Sequence, residues 1–84
     1  MPSVIIPAHN EAAVIGRCLR ALTEGAAPGE LEMVVVANGC SDQTSQLARE
    51  FSPAVRVIDT PVASKSNALN LGDAVATSFP RFYV

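Results

Sequence analysis

Leu31-Glu32-Met33-Val34-Val35-Val36-Ala37-Asn38-Gly39 is the stretch that decides the fold. Met33 to Ala37 is unbroken apolar sequence, the signature of a strand covered on both faces rather than one alternating between core and solvent. Asn38-Gly39 ends it with a turn signal. The run is also the longest apolar one in the chain, at five residues. A membrane-spanning helix needs about 20, so the mean hydropathy of +0.28 does not mark a transmembrane segment.

A strand buried on both faces requires a layer on each side, and the flanking sequence supplies both. Ser3 to Ala8 (SVIIPA) reads as a short β-branched strand ending at a proline turn. His9-Asn10-Glu11 leads into a helix, with Asn10 a candidate N-cap and Glu11 a carboxylate in the first turn. Val14, Ile15, Cys18, Leu19 and Leu22 share one helical face. Gly25 and the Ala26-Ala27-Pro28-Gly29 cluster end that helix.

Downstream of the central strand, Ser41 or Asp42 caps a second helix, which turns Leu47, Ala48 and Phe51 inward and stops before Pro53. Ala54 to Asp59 (AVRVID) is a third strand, and Arg56 within it predicts an edge position with one wet face. Ser64 to about Ser78 reads as a third helix with Ala68, Leu71, Val75 and Phe79 on one face, and Arg81 to Val84 begins a fourth strand. The expected architecture is α/β: a Rossmann-like βαβαβαβ parallel sheet with right-handed crossovers and strand order 3-2-1-4. Ligands bind such sheets past the carboxyl ends of the strands, where the order reverses. That rim gathers Pro7 to Glu11, Asn38 to Asp42 and Asp59 to Lys65.

Composition agrees. Eighty-four residues allow one small domain, and 49% hydrophobic with 17% charged residues is globular rather than disordered. Thirteen alanines and ten valines, with 5% aromatic residues and no Trp, suit thin helix-on-sheet layers. The net charge of −2 and scattered basic residues exclude a duplex nucleic-acid partner, which would want a basic stripe. Cys18 and Cys40 lack CxxC spacing and read as reduced small residues. Met1-Pro2-Ser3-Val4 has no basic n-region and no long apolar stretch follows, so a cytoplasmic compartment is expected.

The rim residues each admit two readings. Neither GxGxxG nor GxxxxGK[ST] is present, which removes the dinucleotide and P-loop fingerprints. Lys65, the sole lysine, sits in a helix first turn where the dipole disfavours a cation; it is either a solvated surface lysine or a point charge for phosphate. Asn38 is either a turn former or a donor–acceptor pair that matches the imide edge of uracil. Asp42 and Asp59 read first as a helix cap and a strand-end turn former. His9 has no partner at ligand spacing for a metal, and Glu11 is a dipole partner or a polar group beside a nucleotide.

Three segments in order and in register resemble the N-terminal half of a family 2 glycosyltransferase with the GT-A fold. Val4-Ile5-Ile6-Pro7-Ala8-His9-Asn10-Glu11 is similar to that family's opening "VIIPxxNE". Val34 to Thr44 (VVVANGCSDQT) is similar to its "VVVDDGSxDxT", and Ser64 to Gly72 (SKSNALNLG) to its "GKxxALNxG". The resemblance implies a truncated GT-A fold binding a nucleoside-diphosphate sugar, UDP by expectation. Pro7, Ala8, His9 and Glu11 would line the nucleotide pocket, Asn38 would contact the base, and Lys65 would face base or phosphates. Ala37-Asn38 replaces the usual acidic pair, making the base contact neutral, and Cys40 stands where Ser is common.

In the family the fourth strand runs into an Asp-x-Asp motif that holds a divalent metal, Mg²⁺ or Mn²⁺, against the diphosphate. That motif is expected after Val84, with the general base later still, so these residues by themselves are expected not to catalyse transfer. The resemblance also allows membrane association of a longer parent protein. An interaction or nucleotide-binding module without chemistry is the competing class, and a nucleotidyltransferase a weaker one, since its Gly-rich first turn is absent. Phe82-Tyr83-Val84 is expected to find little to pack against, which favours self-association through that edge.

Overall fold

The structure is a computed structural model describing residues 2–25, 31–51, 54–77 and 80–83. Its elements are β1 (Ser3–Ala8), α1 (Ala12–Gly25), β2 (Glu32–Asn38), α2 (Thr44–Arg49), β3 (Val55–Thr60), α3 (Lys65–Val75) and β4 (Arg81–Tyr83). All strand pairs are parallel and the order is β3-β2-β1-β4, as expected from two buried runs and an interrupted one. The breaker cluster at Ala26 to Gly29, Pro53, the Ser78 end of the third helix, Phe79 and Val84 lie outside the described residues.

The unbroken apolar run of β2 feeds two cores. Met33 and Val35 join Val4, Ile6, Ile15, Leu19 and Ala48 on the face covered by α1 and α2. Val34 and Val36 pack with Ala68, Ile58, Leu71 and Val75 on the face covered by α3. The alternation follows from the period of two along a strand, so a purely apolar sequence is what a central strand between two helical layers requires. Gly72 lets α3 approach closely: a Cβ there would lie 2.4 Å from Cγ2 of Ile5 on β1.

Two arginines close the carboxyl end of α3, where carbonyls lack intrahelical partners and the dipole favours cations. Arg56 Nη1 donates to the Val75 carbonyl at 3.1 Å. Arg81 donates through Nη2 to the Ala76 carbonyl at 2.9 Å and through Nη1 to the Asp73 carbonyl at 3.2 Å. Arg56 thus marks the wet edge strand and also caps a helix. On the other edge, Phe82 and Tyr83 of β4 are both more than half exposed.

Strand ends differ slightly from the sequence reading. β2 extends through Asn38 and β3 through Thr60, because Asn38 stays in register with Thr60 and the Gly39 N–H donates to the Thr60 carbonyl at 2.8 Å. This extra rung carries the Asn38 side chain to the rim of the sheet while keeping it buried.

Candidate nucleotide site

Two loops at the carboxyl edge of the sheet are sewn together by their polar side chains. Asn10 adopts a left-handed backbone, φ 51, a conformation asparagine tolerates better than most residues. Its Oδ1 accepts from the N–H of Ser41 at 2.8 Å and from its hydroxyl at 3.3 Å. Asn10 therefore bridges to the β2–α2 loop and does not cap α1, although its position in the sequence makes it the candidate N-cap. The amides at the start of α1 are served instead from the β2–α2 loop and the first residue of α2. Glu11 N–H donates to Thr44 Oγ1 at 2.8 Å, and Ala12 N–H to Asp42 Oδ2 at 3.2 Å.

Asp42 serves both helices, since its Oδ1 accepts from the Thr44 N–H at 3.0 Å and from the Thr44 hydroxyl. These bonds, the Thr44 hydroxyl foremost, hold the Asp42 carboxyl below its ordinary value against the opposing cost of desolvation. Cys40 adds another stitch: its thiol donates to the Ala8 carbonyl and accepts from the Asn10 N–H, both at 3.4 Å. Gly39 has φ +62, and a Cβ there would sit 2.6 Å from that of Ala63. Only glycine fits the turn and lets the segment leading to α3 close against it.

These loops frame a cleft of about 330 Å³ whose walls include Pro7, Ala8, His9, Glu11, Asn38 and Lys65. The six residues singled out in the sequence, from three separated segments, are thus brought to one place. Ile6 and Ile15 also contribute to the walls, as do Val14 and Cys18 of α1. Helical periodicity assigns Val14 and Cys18 to the core face, yet Val14 is 44% exposed. Each lies one position before a buried residue, Ile15 or Leu19, and so occupies the margin of the apolar stripe.

The cleft mixes an apolar lining with a few polar groups, the usual composition of a small-molecule site. Asn38 is 5% exposed, and its Oδ1 is buried with no hydrogen-bond partner among the described residues. The backbone carbonyl of the same residue accepts from His9 Nδ1 at 2.7 Å, which leaves Nε2 as an acceptor in the neutral ring. Lys65 is exposed at the first position of α3 and makes no ion pair among the described residues. Ser64 caps this helix by accepting from the Asn67 N–H at 3.3 Å. The N–H groups of Lys65 and Ser66, ahead of it, lack intrahelical carbonyls and face the helix entrance.

Asp59 is not among the cleft residues. It pairs with Arg49 of α2, and its carboxyl is held below the ordinary value by the Ser45 hydroxyl first and by Arg49 second. Among the described residues no three His, Cys, Asp or Glu side chains are grouped to hold a metal ion. Glu11 is the one carboxylate among the described residues lining the cleft.

Comparison with known proteins agrees with this arrangement. Residues 3–78 match the model of the family described as glycosyl transferase family 2. The glycosyltransferase AglE of Haloferax volcanii is 49% identical over 53 residues, which span 62% of this chain and 17% of the relative. The probable glycosyltransferase YdaM of Bacillus subtilis is 39% identical, covering 86% of this chain and 19% of the relative. Among solved structures, the mannosyltransferase PcManGT of Pyrobaculum calidifontis, in complex with GDP-Man and Mn²⁺, superposes with a TM-score of 0.79 at 30% identity. That match covers 90% of this chain and 24% of the mannosyltransferase. The chain thus spans about a fifth of the length of these proteins, and over that span its sequence motifs, strand order and rim place it in glycosyl transferase family 2.

Proposed function

We propose that residues 1–84 are the N-terminal, nucleotide-sugar-binding part of a glycosyltransferase domain that moves a sugar from a nucleoside diphosphate, UDP, to an acceptor hydroxyl. The observation that carries the proposal is the convergence of Pro7, Ala8, His9, Glu11, Asn38 and Lys65 on one cleft at the carboxyl edge of the sheet. The related mannosyltransferase, which holds GDP-Man, supports a nucleoside-diphosphate sugar as the ligand class. In this reading Pro7 and Ala8 support the base and Asn38 bonds its edge. His9 and Glu11 offer polar contacts to the nucleoside, and Lys65 at the start of α3 faces the diphosphate. A cation and free first-turn amides together form an anion site.

Binding and transfer separate in this chain. A glycosyl transfer needs a base for the acceptor hydroxyl and neutralisation of the departing diphosphate. Glu11, one carboxylate, cannot do both, and the described residues offer no metal-binding group of three. The divalent ion, Mg²⁺ or Mn²⁺, therefore belongs to a longer parent protein in this proposal, and the chain by itself binds donor without transferring sugar. We place it in the cytoplasm, where a longer parent could also sit at a membrane face. Among the described residues no helix is long and apolar enough to cross a membrane.

Isothermal titration of the chain with UDP, a UDP-sugar and inorganic diphosphate tests the proposal. Saturable UDP binding, competed by diphosphate and accompanied by no UDP release from the UDP-sugar, is expected. A chain that binds no nucleoside diphosphate would sink it.

A further inference from the structure

We infer that His9 couples nucleotide binding to uptake of a proton: its Nδ1–H stays on the Asn38 carbonyl, and its Nε2 gains a proton when a diphosphate enters the cleft. The inference rests on the nucleotide-binding reading above and adds to it a charge that the cleft acquires only with ligand.

The hydrogen bond decides which nitrogen titrates. His9 Nδ1 lies 2.7 Å from the Asn38 carbonyl oxygen, and a carbonyl only accepts, so the ring hydrogen sits on Nδ1. Nε2 is then the nitrogen that takes up or loses a proton, and the ring does not have to turn when it does. The carbonyl that anchors the ring is itself held. Asn38 pairs in register with Thr60, and the Gly39 N–H donates to the Thr60 carbonyl at 2.8 Å. His9 is an exposed residue of the cleft wall, within reach of solvent protons.

Charge balance supplies the driving force. Among the described residues the cleft is lined by one fixed cation, Lys65, and one carboxylate, Glu11, which cancel. The Glu11 and Ala12 amides at the start of α1 are no substitute, since Thr44 and Asp42 already bind them. The diphosphate of a nucleotide sugar is a dianion, and it meets no net positive charge in the lining while the imidazole is neutral. A proton on Nε2 supplies that charge, and direct contact is not required, because opposite charges sharing a site favour each other's ionised forms.

The sign follows from linkage. The complex holds the proton more tightly than the free chain, so affinity rises as pH falls. The other ionisable groups on the elements packed there are Glu11, Lys65, Cys18 of α1, and Cys40 and Asp42 of the β2–α2 loop. Imidazole is the side chain that ordinarily changes charge between about pH 5.5 and about pH 7.5, whereas carboxylates, thiols and amines ordinarily do so outside that span.

The test is isothermal titration of the full chain with UDP-glucose in steps from about pH 5.5 to about pH 7.5. It is repeated for His9→Asn, Lys65→Ala and Glu11→Gln, with thermal melts at each pH to establish folding. The diphosphate of UDP-glucose is a diester and stays ionised over that span, unlike the terminal phosphate of UDP. Binding about fivefold tighter at the acid end is expected, the gain that one solvent-exposed charge pair supplies. Net proton uptake should appear as a dependence of the heat on the ionisation enthalpy of the buffer. His9→Asn keeps a donor for the Asn38 carbonyl but cannot ionise, and should lose both the slope and the uptake. Lys65→Ala should weaken binding at every pH and keep the slope, and Glu11→Gln should keep it too. A slope that persists in His9→Asn and disappears in Glu11→Gln assigns the proton to Glu11 and overturns the inference. Binding with neither slope nor uptake in the unaltered chain also overturns the role of His9 and leaves the nucleotide site standing, whereas no binding at any pH overturns both readings. Should His9→Asn not fold, the imidazole nitrogen resonances of the unaltered chain decide. A hydrogen on Nδ1 throughout, with Nε2 protonation rising on addition of UDP-glucose, supports the coupling, and an Nε2 unmoved by ligand overturns it.

Discussion

The hydroxyl of Thr44, first residue of α2, accepts the backbone N–H of Glu11 at the entrance to α1, 2.8 Å away. Thr44 is fully buried, so one side chain joins the starts of two helices and holds the two loops of the cleft at a fixed separation. Thr44→Val keeps the shape but leaves the Glu11 amide and Asp42 without that partner. An unfolding cost of about 1–3 kcal/mol is expected for such a loss. Urea denaturation measures it, and Thr44→Ser should recover most of it. If valine is as stable as threonine, the hydroxyl does not join the helices.

Asp42 gives the same joint a pH dependence of defined sign. Its folded carboxyl is held below the unfolded value by the Thr44 hydroxyl and by the Thr44 and Ala12 amides. A depressed folded pKa means that the unfolded chain binds protons first as pH falls. The stabilisation is thus complete above the unfolded value, near pH 4, and is lost as pH drops through the folded one. Asp59, lowered by Ser45 and Arg49, acts in the same direction. Stability should be level near neutrality and fall on the acid side, with a shallower fall in Asp42→Asn. Melting temperatures recorded in steps from pH 7 to pH 3 decide this, and an equal slope in the variant would contradict the assignment.

Glycines separate the turn at the site from an ordinary helix position. Gly39 combines φ +62 with a Cβ position 2.6 Å from Ala63, whereas a Cβ on Gly16 of α1 meets nothing within 4 Å. Gly39→Ala should destabilise by more than about 1 kcal/mol and also weaken nucleotide binding, because Ala63 leads directly to Lys65. Gly16→Ala in the helix interior should stabilise by about 0.5–1 kcal/mol. Opposite signs in one denaturation series are the expected result.

Much of this was legible in the residues. The continuous apolar run of β2 specified a strand with helices on both faces, and Arg56 specified an edge. Three rim segments marked six of the cleft residues. What escaped were relationships across about thirty residues of sequence. Asn10 looks like the cap of its own helix, yet it bonds to Ser41, while Asp42 and Thr44 do the capping. Local patterns report which groups need partners, and only the packing of α1 beside α2 determines which partner arrives. Helical period sets Val14 and Cys18 on the core face for a similar reason. Period alone gives the stripe, and the cleft opens along its margin, where Val14 and Cys18 stand.

Cys40 provides a test of how far sulfur substitutes for oxygen at the rim. Its thiol donates to the Ala8 carbonyl and accepts from the Asn10 N–H at 3.4 Å each, tying β1 to the left-handed Asn10. Those lengths suit sulfur, whereas a hydroxyl bonds nearer 2.8 Å, so Cys40→Ser must draw the two loops slightly together to remake the bonds. The oxygen bonds are stronger and the adjustment is small, so Ser should leave stability within about 1 kcal/mol of the native chain. Cys40→Ala removes the donor and the acceptor together and should cost about 1 kcal/mol or more. Because Asn10 and Ser41 remain bonded in either variant, nucleotide affinity should fall less than stability does. If alanine proves equal to cysteine in denaturation, the thiol fills space and does not stitch the loops. If serine is the most stable of the three, the bonds matter and sulfur is the weaker partner for them.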